Sequence, residues 1–195
     1  MGCHALCGLC GVVLDHVDPQ RIGCAGLSLG GEMTMWLGAM DTRIAATISS
    51  EFLTVMDQME KNHRMCWKFD GLRERIDYAD IYSLTAPRPL QCQNGLKEGP
   101  TQFHVPIARK AMQEIRVIYD DYGKKRNAEL DVHPGGHEID LPALLEFFKK
   151  HLERAELRVS SIVQSSPARP PWAGGHNQFQ INSAQAENKH DRHPQ

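Results

Sequence analysis

Gly23-Cys24-Ala25-Gly26-Leu27-Ser28-Leu29-Gly30-Gly31 is the stretch on which the fold turns. Residues 21–27 read as a short buried strand, and the serine that follows lies in a G-x-S-x-G pattern. In a nucleophile elbow, a sharp turn lifts such a serine hydroxyl above the sheet, and small residues are needed where strand and helix nearly touch. On that reading Gly26 and Gly30 are small for steric reasons. The residues after Ser28 suit a helix, with Met33, Trp36, Leu37 and Met40 spaced i, i+3, i+4, i+7 as its apolar face. A pattern this short also arises by chance, so the rest of the chain has to supply a base, an acid and an oxyanion site.

Working outward, strand and helix signals alternate. Residues 44–50 form a β-branched apolar run after the Asp41-Thr42-Arg43 turn, and residues 90–94 form a third strand ending at Gly95. Residues 105–122 carry helical spacing through Ile107, Ala111, Ile115, Ile118, Tyr119 and Tyr122. Residues 128–132 alternate as a fourth strand, which stops at His133-Pro134-Gly135-Gly136-His137, and a last helix runs over about 142–157 on Leu144, Leu145, Phe147, Phe148 and Leu152. Such alternation argues an α/β fold with a parallel sheet of about four strands and flanking helices. Residues 51–86 lack strand character and read as a helical or irregular excursion over the sheet's carboxyl end. From Ser160 onward Pro, Gly, Gln, Asn and scattered His replace apolar residues. Such a composition cannot bury enough surface to fold, so the expected organisation is one domain over 1–158 and a disordered tail over 159–195.

Bulk composition narrows the function classes. The chain has 195 residues, 41% of them hydrophobic, which suits one core, and its formal charge of -2 with no basic block gives no reason to expect nucleic acid. No apolar run reaches the roughly 18 residues that a membrane helix needs. The apolar stretch 5–14 has no positive flank before it and no clear cleavage site after it, so a soluble cytoplasmic protein is expected. Cys3, Cys7 and Cys10 have the spacing of the iron–sulfur loop of radical S-adenosylmethionine enzymes. The same residues lie within a stripe of Leu6, Leu9, Cys10, Val13 and Leu14 that reads instead as an amphipathic helix, and no barrel of strands and helices follows. Cys24 and Cys92 sit in apolar runs as small hydrophobes. No cofactor and no metal is implied.

In open α/β sheets, chemistry gathers at the carboxyl ends of the strands. Ser28, Lys97-Glu98 and His137 fall at three such ends, in the chain order Ser, acid, His. That order, with Gly26-Leu27-Ser28-Leu29-Gly30-Gly31, the Pro87-Arg88-Pro89 lead into the third strand, and Pro134-Gly135-Gly136-His137 before a helix, resembles the α/β-hydrolases. The nearest type is the dienelactone hydrolase and acetyl-xylan-esterase-like group of serine esterases, over roughly residues 18–152. The resemblance implies a hydrolase of small carboxylic esters with Ser28 as nucleophile, His137 as general base and the Leu29 N–H as one oxyanion donor. The acid is Glu98, one methylene longer than the aspartate usual there, with Glu51 past the second strand in reserve. His133 is expected to face solvent or cap its strand.

The sequence departs from the family pattern ahead of the elbow, where relatives place further strands and a second oxyanion donor. The strand before Ser28 is therefore expected to be a sheet edge open to association, and the chain alone to have weak or no esterase activity. Two alternatives follow: a catalytically inactive fragment that serves as an interaction protein, and a serine peptidase of the prolyl-oligopeptidase type.

Overall fold

The computed structural model describes residues 18–62 and 71–153. Within them the elements are β1 (Ile22–Leu27), α1 (Leu29–Met40), β2 (Ile44–Ser50), α2 (Met56–Asn62), α3 (Tyr78–Ser83), β3 (Leu90–Gly95), α4 (Val105–Asp121), a 3₁₀ turn (Lys125–Asn127), β4 (Ala128–His133) and α5 (Leu141–Leu152). The four strands lie side by side in chain order and pair in parallel, with Gly26↔Ser49, Ser49↔Cys92 and Cys92↔Leu130 in register. Parallel neighbours need a crossover between them, and here α1, the α2–α3 excursion and α4 supply the crossovers. β1 is one edge of the described sheet, as expected, and β4 is the other.

Alternation along the strands decides what each face holds. Leu90, Cys92, Leu130 and Ala128 point to the side of α1, α3 and α4, where Met35, Phe52, Leu53, Tyr78, Tyr82, Met112, Ile115 and Tyr119 complete the main core. Ala46 and Ile48 point the other way, under Phe147, Phe148 and Leu152 of α5. The β3–β4 half of that second face is polar. Gln93 exchanges hydrogen bonds with the Asp140 backbone, and Glu129 pairs with Lys150.

Helix α1 corrects the sequence reading. Its buried residues are Gly31, Glu32, Thr34, Met35 and Gly38, while Met40 is 73% exposed and Met33, Trp36 and Leu37 are only partly covered. The cause is close approach. A Cβ on Gly38 would stand 2.6 Å from Thr47 Oγ1, and one on Gly31 would stand 2.7 Å from the Ser50 carbonyl oxygen. The helix lies so near β2 that small residues face the sheet and the bulky ones are turned aside. Gly26 is required as expected, since its Cβ would be 2.2 Å from the Gly30 carbonyl oxygen, whereas a Cβ on Gly30 would meet nothing within 4 Å. Gly31, not Gly30, is the sterically constrained glycine of the helix start.

At the amino ends of the strands, Arg88 ties several elements together. Its guanidinium donates to the carbonyls of Gly38, Asp41 and Ile44, and its own carbonyl accepts from the Tyr119 hydroxyl. The excursion between β2 and β3 buries Phe52, Leu53, Met56, Met59, Tyr78 and Tyr82 in the main core. Asp77 caps α3 with a reciprocal Asp80 contact and also accepts from the Met56 N–H. Met65, Cys66, Trp67 and Phe69, the Cys3-Cys7-Cys10 stretch and the tail lie outside the described residues. No described helix is long and apolar enough to cross a membrane.

Candidate active site

Two consecutive strands end in a non-glycine residue with positive φ. Ser28 has φ 57° and ψ -117°, and Glu51 has φ 50°. Left-handed backbone at residues with a Cβ costs on the order of 1–3 kcal/mol each and persists only where the surroundings enforce it. For Ser28 the constraint is visible on both sides. Its N–H continues the ladder to the Ser50 carbonyl at 2.9 Å, and its carbonyl already accepts the first bond of α1, from the Glu32 N–H at 2.9 Å. Strand and helix therefore meet in one residue, within Gly26-Leu27-Ser28-Leu29-Gly30. Leu29 opens α1, so its N–H has no acceptor within the helix and lies at the positive end of the helix dipole.

Past β3 and β4, two loops clasp each other. Leu96 N–H donates to the His133 carbonyl and Lys97 N–H to the Gly135 carbonyl, each at 2.9 Å. A side chain at Gly95 would run into the Gly136 and Gly135 carbonyl oxygens at 2.4 and 2.7 Å, so the crossing tolerates only glycine there. The clasp brings Glu98 Oε1 to 2.7 Å from His137 Nδ1. The His137 ring stacks on Phe103, with centroids 5.6 Å apart and planes 28° apart. Glu98 is nearly buried and the His137 side chain is 43% exposed. With Nδ1 facing a carboxylate, the ring's remaining nitrogen, Nε2, is the one free to exchange a proton with a reactant.

His133 does not face solvent. β4 runs one residue further than its alternation suggested, His133 pairs in register with Gly95, and the residue is 4% exposed. Its Nε2 lies 2.9 Å from Glu51 Oε1, and its Nδ1 accepts from the Gly135 N–H at 3.2 Å. Glu51, the reserve acid, is thus hydrogen-bonded to His133 and not to His137. Burial pushes the Glu51 carboxyl up to about 8; the charges of Glu98, Glu138 and Asp131 push the same way, against the pull of the Gly95 N–H. The two glutamates remain close: one ligating atom each from Glu51, Glu98 and His137 lie within 4.8 Å of one another. The Glu51–His133 pair and the Phe103 stack were not foreseen from sequence. The available signal was the pairing of a carboxylate directly past an apolar strand with a second histidine in His133-Pro134-Gly135-Gly136-His137.

Known proteins share this architecture. A glucuronoyl esterase of carbohydrate esterase family 15 from Caldicellulosiruptor kristjansonii superposes with a TM-score of 0.62 at 18% identity, covering 74% of this chain and 46% of that one. A glucuronoyl esterase from Sporotrichum thermophile, solved in complex with methyl 4-O-methyl-beta-D-glucopyranuronate, gives 0.57 at 20% identity over 70% of this chain and 44% of that one. The described residues share the α/β-hydrolase fold of these esterases. In sequence, the chain is 32% identical over 80 residues to the Bacillus subtilis (strain 168) protein named "Putative hydrolase YtaP", covering 38% of this chain and 27% of that protein. No family model matches. The chain spans less than half the length of each of these three proteins.

Proposed function

We propose that this chain is the part of a serine-dependent carboxylic-ester hydrolase that carries Ser28, Glu98 and His137 as its triad. The hydrogen bond between Glu98 Oε1 and His137 Nδ1, with His137 half exposed at the carboxyl end of the sheet, is the observation that carries the reading. The roles follow from chemistry. A serine hydroxyl is a weak nucleophile until a base takes its proton, and a carboxylate on Nδ1 fixes the imidazole tautomer and stabilises the imidazolium. Ser28 Oγ attacks the ester carbonyl as His137 Nε2 accepts its proton. The proton then passes to the leaving alcohol, and the acyl group stays on Ser28. Water, deprotonated by His137, attacks the acyl-enzyme and releases the acid. The Leu29 N–H donates to the oxyanion in both steps.

The likeness to glucuronoyl esterases makes alkyl esters of a sugar acid the first substrates to try. Leu29 supplies one oxyanion donor, and loss of a donor costs about 10²–10³ in rate. Labelling with a fluorophosphonate tests the assignment: the chain takes up one label at Ser28, and Ser28→Ala takes up none. Equal labelling of both, or none of either, removes the esterase reading. The outer edge of β1, unpaired among the described residues, favours a second reading, in which the chain acts through association along that edge. An unlabelled chain that self-associates would support it.

A further inference from the structure

Glu51 is an ionisable group at the site to which the triad gives no task. The hydrogen bonds of His133 define what Glu51 has left to offer. Because the Gly135 N–H donates to His133 Nδ1, a neutral ring carries its proton on Nε2 and donates it to Glu51 Oε1. Oε1 is therefore served. Oε2 is buried with no hydrogen-bond partner, in a residue with 0% exposure. A buried carboxylate oxygen without a partner is costly to leave as it is. Its surroundings hold a second carboxylate, Glu98, and an imidazole, His137, with one ligating atom from each of the three within 4.8 Å of the others. The charges bearing on Glu51 from Glu98, Glu138 and Asp131 are all negative.

We propose that Glu51, Glu98 and His137 form a site for a divalent first-row cation such as Mn²⁺ or Zn²⁺, and that the bound ion blocks His137 as a base. The inference rests on the esterase reading for its second half alone. Two carboxylates and one imidazole are a donor set that such ions accept, with bonds of about 2.0–2.2 Å. Ligand atoms about 3–3.5 Å apart meet that requirement, so the three side chains have to close by about 1 Å. A ring nitrogen that ligates the ion cannot hold a proton at the same time. Binding at Nδ1 leaves the neutral ring's one proton on Nε2, so that nitrogen has no lone pair left to accept the Ser28 proton, and the imidazolium that ester hydrolysis needs can no longer form. The ion is then an inhibitor that occupies the orienting side of the triad and leaves Ser28 itself untouched.

Mn²⁺ is the probe of choice, because cysteines elsewhere in the chain compete for zinc. The full chain, freed of metal by EDTA and dialysis, is titrated while free Mn²⁺ is followed by electron paramagnetic resonance. One site is expected in the parent chain, weakened at least about tenfold in Glu51→Gln and in Glu98→Gln, since losing a direct ligand costs no less than losing an outer partner. Gln at position 51 keeps an oxygen to accept from His133 Nε2, and a thermal melt checks that each variant is folded. Fluorophosphonate labelling of Ser28 should slow about tenfold or more with saturating Mn²⁺, recover with EDTA, and become insensitive to Mn²⁺ in Glu51→Gln. Equal Mn²⁺ affinity in the parent and both variants would place the ion elsewhere and overturn the site. Binding without slowed labelling would overturn the inhibitory role. Failure of Ser28 to label even without metal would remove the esterase reading, and the resonance titration would still decide the cation site.

Discussion

The site holds two glutamate–histidine pairs that differ in what is left over. Glu98 meets His137 at Nδ1, at 2.7 Å, with the histidine side chain 43% exposed. Glu51 meets His133 at Nε2, at 2.9 Å, with both side chains almost wholly buried. The second nitrogen of His133 is taken by the Gly135 N–H, so that ring has none to give a substrate. His137 keeps Nε2. Identical residue types at comparable distances thus differ in what they leave open: one pair keeps a ring nitrogen at a half-exposed histidine, the other spends both nitrogens on holding the β4–α5 loop over Gly95.

This contrast breaks most sharply under isosteric amides. Glu98→Gln should lower the rate of Ser28 acylation by about 10⁴, the order seen when a triad carboxylate becomes an amide, while Glu51→Gln should cost far less. Burst kinetics with p-nitrophenyl acetate would compare them, and the opposite ranking would transfer the acid's role to Glu51. Stability should divide the histidines the other way. His133→Ala leaves the buried, neutral Glu51 carboxyl without its partner and should cost about 1–3 kcal/mol in urea unfolding, while the half-exposed His137→Ala should stay within about 1 kcal/mol. A smaller effect comes from pH. Glu51 holds its proton up to about 8 in the folded protein and releases it near 4.5 when unfolded. The folded state therefore binds more protons between those values, and stability falls as pH rises through that window, by at most about 1.4 kcal/mol per unit. In metal-free buffer, Glu51→Gln should flatten that decline between pH 5 and 8.5, and parallel curves for parent and variant would contradict the buried proton.

Much of the frame was legible because strands advertise themselves locally. β2 occupies Ile44–Ser50 as its β-branched run indicates, and β3 and β4 differ from expectation by one residue each. That single residue mattered at β4, since it drew His133 into the ladder and out of solvent. The Glu98–His137 pair could be read from its position past consecutive strands. The Glu51–His133 pair joins residues 82 apart in sequence, and no local pattern announces such a contact. The face of α1 misled for a different reason. Spacing of large apolar residues assumes that bulk faces the core, but contact with β2 is close enough to select Gly31, Thr34 and Gly38 instead.

Arg88 gives the two ends of the sheet unequal mechanical character. Bonds from one guanidinium to the carbonyls of Gly38, Asp41 and Ile44, with the Tyr119 hydroxyl on its own carbonyl, fasten the amino ends of the strands to α1 and α4. The opposite end stores strain at Ser28 and Glu51 and hangs His137 on a loop. Opening of the native state should accordingly begin at the reactive rim and reach the Arg88 end last. The order of amide hydrogen exchange along β2, slowest near Ile44 and faster toward Ser50, would record that gradient.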